Sequence, residues 1–418
     1  MGFLGVRAIL LPKKQRDFIR LLLFKIALTP FWIDTVYMNF ELTDEQAAVR
    51  DMARDFAERR VKPIAFELDH QSRFPKEIME EMASLKLLGV CIPENLGGAG
   101  MDMISYVLAL EEISKVCAST GVIMSVNNSL VCEPIHRFGN DFHKQTFLKP
   151  LASGEKLGCY ALTEPEAGTD AANQKTVAVK KGKKYFLTGT KQFITNGAEA
   201  DLAIVYALTD PSKGKKGISA FIVDTKTPGF KISKKEKKLG IRGSSCVQIS
   251  LDQAEVPEEN LFHTEGEGYK VALSTLEVGR IGIAAQALGI GAASLECALQ
   301  YAKEREQFGK PIAELQAIQF MLSDMATRLD AARLLTYKAA QLKSENKRTP
   351  LESSQAKLFA SEMCMKNAWT AVQIHGGYGY VEDYIPERLF RDAKITEIYE
   401  GTSEVQRLLI ANQVLQSV

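Results

Sequence analysis

The hydrophobic period of the chain changes twice, near residue 157 and again near residue 269. Before the first change, apolar residues recur at three- and four-residue spacings, which is typical of amphipathic helices. After it come short β-rich runs separated by glycine, proline, lysine and aspartate, a pattern that predicts an antiparallel sheet with regular turns. The runs are 176–179, 183–189, 193–195, 202–207, 218–223, 230–232 and 247–251. The helical spacing then returns, so the predicted order is helices, sheet, helices.

The second helical region opens with one long apolar stripe between Leu273 and Ala302. The glycines that interrupt the stripe are Gly279, Gly282, Gly289 and Gly291. Each costs roughly 0.8–1 kcal/mol relative to alanine in a helix interior, so we expect another helix or a ligand to approach the backbone closely here. Further helices are predicted over 315–342, 351–375 and 403–415, which completes a four-helix bundle with short loops.

These patterns predict an α+β multidomain protein. An N-terminal all-α domain is expected over 38–157, a middle antiparallel β-sheet domain over 158–268 and a C-terminal four-helix bundle over 269–418. A chain of 418 residues is long enough for two or three such domains. Residues 1–37 are predicted to be a leader or extension without a fold of its own, ahead of a start at Met38.

The first 37 residues carry basic side chains around the apolar run 21–24. The run is too short to span a bilayer, and no small-residue cleavage site of a secretory signal follows it. Arginine and lysine fit a mitochondrial transit peptide, whereas the absence of serine and the presence of Asp17 and Asp34 do not. We therefore expect a cytoplasmic protein, or a protein of the mitochondrial matrix if residues 1–37 are a transit peptide.

The composition excludes several classes of partner. With 52 basic and 51 acidic residues, no excess charge favours nucleic acid or an anionic membrane. The seven cysteines are widely spread without a CxxC pair, which favours reduced thiols over a disulfide framework. The five histidines show no metal-ligand spacing with one another or with cysteine. We expect no metal site, no nucleic-acid partner and no stable membrane insertion.

A glutamate stands just before the last predicted helix. Ser403, with Gln406 three residues later and apolar residues beyond it, has the form of a capping box. Glu400 therefore lies on a loop outside the helix N-terminus, where two interpretations are open. It is either a base held beside a ligand or a surface acid placed favourably against the helix dipole.

Three glycine-containing stretches offer further candidate sites. They are 159–170, 193–197 and 373–379. Their small residues allow a flat ring or a phosphate to approach the backbone, and Thr163, Thr169 and Thr195 add hydroxyl groups. Taken singly, each stretch also fits an ordinary turn or helix cap. No GxGxxG pattern follows a strand, so a Rossmann domain is not predicted.

Together these stretches resemble the acyl-CoA dehydrogenase family, and the resemblance extends from Met38 to about Asn412. The first family motif reads ALTEPEAGTD at 161–170. The second reads QxxGGxGYxxD at 373–383 and continues through Arg388 to Asp392, and the third reads IYEGTSE at 398–404. Separated motifs in this order favour the interpretation of Glu400 as a catalytic base.

The resemblance implies that FAD binds noncovalently between the sheet and the C-terminal bundle, with a neighbouring subunit holding part of the adenosine half. The implied FAD contacts are Tyr160, Ala161, Leu162, Thr163, Thr169, Phe193, Ile194, Thr195, Arg305, Gln316, Gln373, Gly376, Gly377, Thr402, Ser403 and Glu404. The implied acyl-CoA contacts are Thr169, Glu277, Arg280 and Gly401. For Glu277 and Arg280, three residues apart on one helix, an exposed ion pair is the alternative.

In the reaction that the resemblance implies, Glu400 removes the Cα proton of an acyl-CoA thioester while the Cβ hydride passes to flavin N5. The backbone N–H of Glu400 and a flavin ribityl hydroxyl bond the thioester oxygen. The product is a trans-2-enoyl-CoA, and the reduced flavin passes its electrons to an electron-transferring flavoprotein. The implied assembly is a homotetramer built as a dimer of dimers.

The stretch from Ile395 to Glu400 looks most like short-chain (butyryl-CoA) members of the family, with medium- or branched-chain acyl-CoA as the alternative substrate. Two other classes are a noncatalytic flavin-binding homologue, against which Glu400 argues, and an acyl-CoA oxidase, which is usually a longer chain. Some relatives carry the base immediately before Arg280, but this chain has Gly279 there. Asn173 departs from the small residue usual at its position in the first motif.

Overall fold

The computed structural model describes residues 41–416. The predictions for residues 1–37 and for a start at Met38 lie outside the described residues. Within them the elements follow the order helices, sheet, helices, which confirms the predicted fold class. The first strand starts at Gly158 and the long helix after the sheet starts at Gly268, whereas the domain boundaries themselves stay predictions.

The N-terminal region is built from short helices. They are α1 (Asp44–Phe56), α2 (Ala65–His70), α3 (Lys76–Ser84), α4 (Met103–Val116), α5 (Ala118–Ser125), α6 (Glu133–Phe138), α7 (Asp141–His143) and α8 (Lys149–Ser153). Turns of π-helix lie at Ala57–Val61, Val126–Cys132 and Lys144–Leu148. Asp102 caps α4 by accepting a hydrogen bond from the Ser105 amide at 2.8 Å, because the first N–H groups of a helix have no partner within it. Most of α4 is buried.

The middle region is one eight-stranded sheet. Its strands are β1 (Gly158–Ala161), β2 (Val177–Lys181), β3 (Lys184–Thr195), β4 (Leu202–Leu208), β5 (Ile218–Asp224), β6 (Phe230–Lys235), β7 (Cys246–Pro257) and β8 (Leu261–Phe262). They lie in the order β6-β7-β3-β2-β4-β5-β8, and β1 pairs with β4. Strand β4 runs parallel to β1 and β2, and the other pairings are antiparallel. The β-rich runs did not predict the parallel pairings, because spacing along the chain does not say which strands become neighbours.

Strand β3 joins the predicted runs 183–189 and 193–195, with an irregularity between them. Its pairing with β7 shifts register between Lys191 and Ile194. Phe193 within this shift has φ 58°, and its side chain is 63% exposed. The extra residue of a β-bulge re-aims a side chain in this way. The bulge therefore turns an aromatic ring away from the sheet core within one of the predicted cofactor stretches.

The described C-terminal region contains five helices and a short hairpin. They are α9 (Gly268–Glu304), β9 (Glu306–Gln307), β10 (Lys310–Pro311), α10 (Gln316–Ser344), α11 (Pro350–His375), α12 (Ile385–Thr396) and α13 (Ser403–Gln416). The predicted bundle helices correspond to α9, α10, α11 and α13. Helix α12 was not predicted as an element, although Pro386 stands in its first turn, where proline is tolerated.

Neighbouring helices press directly on the backbone of α9 at its glycines. A Cβ atom added at Gly289 would lie 2.5 Å from the carbonyl oxygen of Glu111 in α4. A Cβ atom at Gly291 would lie 2.6 Å from Sδ of Met363 in α11. Both distances are shorter than ordinary van der Waals contact, so the predicted close approach at these glycines is confirmed. Because glycine has no side chain, α4 and α11 can pack directly against the backbone of α9 at these positions.

Helix α9 is also the most apolar long helix of the described chain. By length and composition it is the one helix within residues 41–416 that could cross a membrane. Inside the protein, however, 83% of its most apolar window is buried. A helix that is apolar on all sides is expected in the core of a large protein, which is where α9 lies.

Charged residues at the end of the second motif tie the three regions together. The Arg391 guanidinium donates to both carboxylate oxygens of Asp69, at 2.6 and 3.1 Å, and to the Leu239 carbonyl at 3.3 Å. Asp392 is buried and accepts a hydrogen bond from the Ile241 amide. Burial raises the pKa of Asp392 to about 6. Helix α12 therefore connects the N-terminal helices with the sheet.

We predict that Gly289→Ala destabilises the protein, while Gly291→Ala, two residues further along α9, is tolerated. The nearest atoms at Gly289 belong to the α4 backbone, at 2.5 and 2.6 Å, and cannot move without shifting the helix. At Gly291 they belong to the flexible Met363 side chain. Overpacking costs about 1–3 kcal/mol, and the roughly 1 kcal/mol that alanine gains over glycine in a helix offsets part of it.

Thermal unfolding of the two purified variants measures this difference. Gly289→Ala should unfold at a lower temperature than the wild type, and Gly291→Ala should unfold close to it. Equal Tm values for the two variants would show that α4 does not press on the α9 backbone.

Candidate active site

Glu400 lies in the loop between α12 and α13, and this loop has an unusual backbone conformation. Glu400 has φ 53° and Gly401 has φ 96°, both in the left-handed region. A non-glycine residue there costs on the order of 1 kcal/mol or more and needs restraint from its surroundings. Two buried side chains supply it by donating to the Gly401 carbonyl: Lys357 Nζ at 2.7 Å and Gln406 Nε2 at 2.9 Å.

The predicted capping box at the start of α13 is wrong. The helix begins at Ser403, so the residue before it is Thr402, whose Oγ1 accepts a hydrogen bond from the Val405 amide at 3.4 Å. Ser403 Oγ is buried without a hydrogen-bond partner in the described structure, and the Ser403 amide donates to the Glu397 carbonyl at 3.0 Å. The Gln406 side chain turns back to the loop carbonyls. The serine that resembles a cap is therefore the first residue of the helix.

The carboxylate of Glu400 is buried against helix α9. Its Oε2 atom has no hydrogen-bond partner among residues 41–416. It lies in the space that a side chain at Gly279 would fill, with Leu130 beside it. Burial raises the pKa of Glu400 to about 8, although the positive charges of Lys357 and Arg280 oppose the shift. The interpretation of Glu400 as a surface acid is therefore wrong, and one carboxylate oxygen is available to accept a proton.

Glu277 and Arg280 are buried, with only 4% and 6% of their surfaces exposed. Glu277 Oε1 pairs with the Arg348 guanidinium at 2.7 Å, and its other oxygen has no partner in the described structure. Arg280 Nε has none there either, and burial lowers the pKa of Arg280. The alternative of an exposed Glu277–Arg280 ion pair is therefore wrong. A buried polar atom without a partner is unfavourable, and a bound ligand is one way to supply the partner.

A buried lysine, which sequence reasoning missed, fixes the first predicted cofactor stretch. Lys191 is fully buried, and its Nζ donates to the Leu162 carbonyl at 3.1 Å. The same group donates to Glu164 Oε1 at 2.8 Å and to Gln174 Oε1 at 3.1 Å. Burial lowers the pKa of Lys191 to about 8, against the opposing charge of Glu164. A buried ammonium needs such partners, so it orders the loop that supplies them.

The first two cofactor stretches meet at the bulge of β3. The Gln192 amide donates to the Thr163 carbonyl at 2.8 Å, so the loop after β1 runs beside the bulge. Thr163 and Thr195 are half-buried, whereas Phe193 and Thr169 are exposed. Of the others, Ala161, Leu162 and Ile194 are buried, and Tyr160 is half-buried with its ring 5.2 Å from that of Tyr206. An exposed aromatic ring beside partly buried hydroxyls fits a planar ring system with a polar edge.

A second group of predicted cofactor residues lines a separate open cleft of about 500 Å³. Arg305, Gly376 and Gly377 belong to this cleft, and the Arg305 guanidinium lies 5.6 Å from the ring centre of Tyr378. Within residues 41–416, no atom beyond the chain neighbours lies within 4 Å of a Cβ placed on either glycine, so the backbone is open to a ligand. No residue of 160–169 or 193–195 lines the cleft. The predicted FAD contacts therefore fall into two groups, which suits an extended dinucleotide.

The other predicted contacts differ in exposure. Gln316 and Gln373 are exposed on α10 and α11 and do not line the cleft. At the start of α13, Thr402 is half-buried, Ser403 is buried and Glu404 is exposed. Within residues 41–416, no group of three or more His, Cys, Asp or Glu side chains is arranged to hold a metal ion.

Family models of acyl-CoA dehydrogenase match almost the whole described chain. The N-terminal domain matches residues 43–155, the middle domain residues 159–254 and the C-terminal domain residues 266–415. The mitochondrial short-chain specific acyl-CoA dehydrogenase of Mus musculus is 51% identical over 385 residues, which are 92% of this chain and 93% of the mouse protein.

Solved structures agree with these matches. Butyryl-CoA dehydrogenase from Megasphaera elsdenii has a TM-score of 0.89 and 47% identity, covering 90% of this chain and 100% of that one. A chain solved in work on the electron transferring flavoprotein of Acidaminococcus fermentans has a TM-score of 0.90 and 49% identity, covering 91% and 100%. Acyl-CoA dehydrogenases are FAD-dependent, which confirms FAD as the predicted cofactor. The chain belongs to the acyl-CoA dehydrogenase family of oxidoreductases, which act on CH–CH bonds.

Proposed function

We propose that the protein catalyses the α,β-dehydrogenation of a short-chain acyl-CoA thioester to the trans-2-enoyl-CoA. The observation that carries this proposal is the Glu400 carboxylate, whose Oε2 is buried beside Gly279 with no hydrogen-bond partner among residues 41–416. The α-proton of a thioester is far too weakly acidic for a carboxylate in water. A desolvated carboxylate with a raised pKa is a stronger base, as this proton transfer requires.

Glu400 supplies two groups to the reaction. Its carboxylate takes the proton from Cα of the substrate. Its backbone N–H makes none of the hydrogen bonds found among the described residues, and in this proposal it donates to the thioester oxygen and stabilises the developing negative charge. FAD, when bound, accepts the hydride from Cβ. The two C–H bonds break, the Cα–Cβ double bond forms, and the proton stays on Glu400.

The acyl-CoA is held by the buried charged pair of α9 and by two loop residues. Glu277 Oε2 and Arg280 Nε are buried polar atoms without partners in the described structure. Thr169 lies on the exposed loop after β1, and Gly401 adjoins the base. We assign these residues to the substrate because a bound thioester and its CoA moiety would satisfy polar atoms that are otherwise costly to bury.

The space beside Glu400 favours a short acyl chain. One turn along α9 from Gly279, a Cβ at Gly282 would lie 2.5 Å from Ser125 Oγ. The Tyr106 hydroxyl and the Ser125 hydroxyl lie 3.2 Å apart and hydrogen-bond to each other. In this proposal the acyl chain runs along α9 from the base, and these side chains limit its length at Gly282, three residues or about 4.5 Å further along the helix. The mouse and Megasphaera relatives, which are named for short-chain and butyryl-CoA substrates, support the same assignment.

The two groups of predicted FAD contacts have separate roles in this proposal. Residues 160–163, Thr169 and 193–195 hold the flavin ring, and Arg305, Gln316, Gln373, Gly376 and Gly377 hold the adenosine half. The start of α13 adds Thr402, Ser403 and Glu404, and the Ser403 hydroxyl has no hydrogen-bond partner among residues 41–416. Because the adenosine cleft is open on one side, a neighbouring subunit completes it.

Exposed aromatic residues of the described C-terminal region support a homotetramer. Those on the hairpin, α10, α11 and the following turn include Phe308, Phe320, Phe359, Trp369 and Tyr380. Large exposed apolar side chains are common where proteins associate. The proposed acceptor of the electrons is an electron-transferring flavoprotein, and the related chain from the Acidaminococcus work supports this choice. The proposed location is the cytoplasm, or the mitochondrial matrix if residues 1–37 are a transit peptide.

Anaerobic titration of the yellow holoenzyme with acyl-CoAs of increasing length tests the reaction and the chain length together. We expect butyryl-CoA to bleach the flavin absorbance most effectively, because Tyr106 and Ser125 lie at Gly282, only three residues along α9 from Gly279. A preference for longer or branched acyl groups would replace the short-chain assignment. Failure of every acyl-CoA to bleach the flavin would contradict the proposed reaction.

Glu400→Gln tests the base within the same titration. The amide keeps the size of the side chain but cannot accept the proton, so the variant should bind FAD normally and lose reduction by acyl-CoA. Removing a positioned general base lowers a rate by about 10²–10⁴-fold. Stopped-flow absorbance after mixing with butyryl-CoA measures this rate, and an unchanged rate would refute the role of Glu400.

Lys191→Met should weaken FAD binding, because it leaves the Leu162 carbonyl and Glu164 without the buried ammonium. Breaking a buried ion pair costs about 3–5 kcal/mol. The matched control is Lys184→Met in the same strand, where the lysine is half-exposed and pairs with Glu255. Exposed pairs contribute only about 0–1 kcal/mol. The FAD content after gel filtration and the Tm should fall for Lys191→Met alone, and equal values for both variants would disprove the role of Lys191.

A further inference from the structure

Lys357 is a buried lysine close to the proposed base. It lies in α11, its side chain is fully buried, and its Nζ donates to the Gly401 carbonyl at 2.7 Å. Lysine is almost never fully buried without a partner, because an ammonium ion loses its hydration there. A single neutral carbonyl is weak compensation for that loss. The position of Lys357 therefore requires a further favourable interaction.

That interaction is with negative charge around the loop. The carboxylates that face Lys357 are Glu400, Glu397 and Glu404, and Arg280 is the opposing like charge. Burial lowers the pKa of Lys357 to about 8, and Glu400 is the strongest of the groups that counteract this shift. In return, Lys357 is the stronger of the two positive groups that counteract the raised pKa of Glu400. The two side chains therefore support each other's charged forms.

The other titratable groups that face Glu400 are tyrosines. Tyr106 on α4, Tyr160 on β1 and Tyr399 beside the base all have a pKa raised by burial, so they stay neutral when Glu400 ionises. Only Lys357 and Arg280 supply positive charge to the carboxylate from the described structure.

Lys357 influences the Glu400 carboxylate through its charge and not through a direct contact. Among the described residues no hydrogen bond or ion pair joins Lys357 to the Glu400 carboxylate, because the lysine donates to the carbonyl of the next residue instead. A direct ion pair would fix a carboxylate oxygen and weaken it as a base. Placed behind the loop, the ammonium stabilises the anion by charge and leaves an oxygen free for the substrate proton.

We propose that Lys357 is a positioning residue for the dehydrogenation: it holds the Gly401 carbonyl, and with it the left-handed Glu400–Gly401 loop, and its charge favours the ionised base. The inference rests on the proposed function, since it assigns Lys357 a role through Glu400. Gln406 shares only the first of these tasks, because its amide donates to the same carbonyl at 2.9 Å but carries no charge.

Three variants separate charge from hydrogen bonding. Lys357→Gln keeps a donor but loses the charge, Lys357→Met loses both, and Gln406→Met removes the neutral bond and keeps the lysine. The measurement is the rate of FAD reduction by butyryl-CoA, under anaerobic conditions and as a function of pH, for each holoenzyme. The wild-type rate should rise as Glu400 ionises, with a midpoint near the Glu400 pKa of about 8.

Loss of the lysine charge should move this midpoint to higher pH by about one unit or more in Lys357→Gln and in Lys357→Met. Gln406→Met should be slower than the wild type with an unchanged midpoint. If Lys357→Met does not retain FAD, Lys357→Gln alone carries the test. Wild-type midpoints in the Lys357 variants would overturn the inference, even if the rates fall, since a purely structural role does not move a midpoint. No reduction of the wild-type enzyme at any pH would instead overturn the proposed function, and the inference with it.

Discussion

The absence of a side chain at Gly279 is the constraint on which the site depends. Helix α9 passes through the core, and its glycines leave parts of its backbone uncovered by side chains. The Glu400 carboxylate lies in the gap at Gly279. Each such glycine costs roughly 0.8–1 kcal/mol of helix propensity. The cost is offset where α4 and α11 pack closely on the same helix. Glycine thus serves two purposes in α9: at Gly289 and Gly291 it admits neighbouring helices, and at Gly279 it admits the Glu400 carboxylate.

The electrostatic properties of the site follow from the burial of charged side chains whose polar atoms are not all hydrogen-bonded within residues 41–416. Glu400, Arg280 and Glu277 each keep a buried polar atom without a partner in the described structure, which is unfavourable for the stability of the protein alone. Two buried lysines stabilise the loops of the site by donating hydrogen bonds to backbone carbonyls. Lys357 holds the loop of the base, and Lys191 holds the loop of the predicted flavin contacts. Their charges restrain the backbone and leave the ligand-facing atoms free. Such an arrangement trades stability for a preorganised site.

Sequence patterns predicted the order of the regions and the close packing at the α9 glycines, because hydrophobic period and glycine cost are local properties. Pairing of β4 with β1 and β2 depends on the path of the chain in space and was not predictable. The capping box at Ser403 failed because the helix starts at Ser403 itself, one residue earlier than that motif requires. The individual site roles, apart from the predicted cofactor, stay predictions.

The burial of Lys357 and Lys191 could have been predicted from the sequence. Ser353, Lys357, Ala360 and Cys364 are spaced as one buried face of α11, so a lysine within an apolar helical stripe was a usable signal. Lys191 follows Tyr185 and Leu187 at even spacing in β3, and so lies on their face of the sheet. Both were overlooked because lysines near turns and on helices are usually solvated.

The central claim is that Glu400 removes the α-proton of an acyl-CoA. Solvent deuterium incorporation at the α-carbon of a short acyl-CoA with sulfur in place of the β-methylene isolates this step, because such a ligand has no β-hydride to lose. We predict that the wild-type holoenzyme incorporates deuterium, faster as the pH rises toward about 8, and that Glu400→Gln binds the ligand without exchange. Exchange by Glu400→Gln at the wild-type rate would contradict the claim.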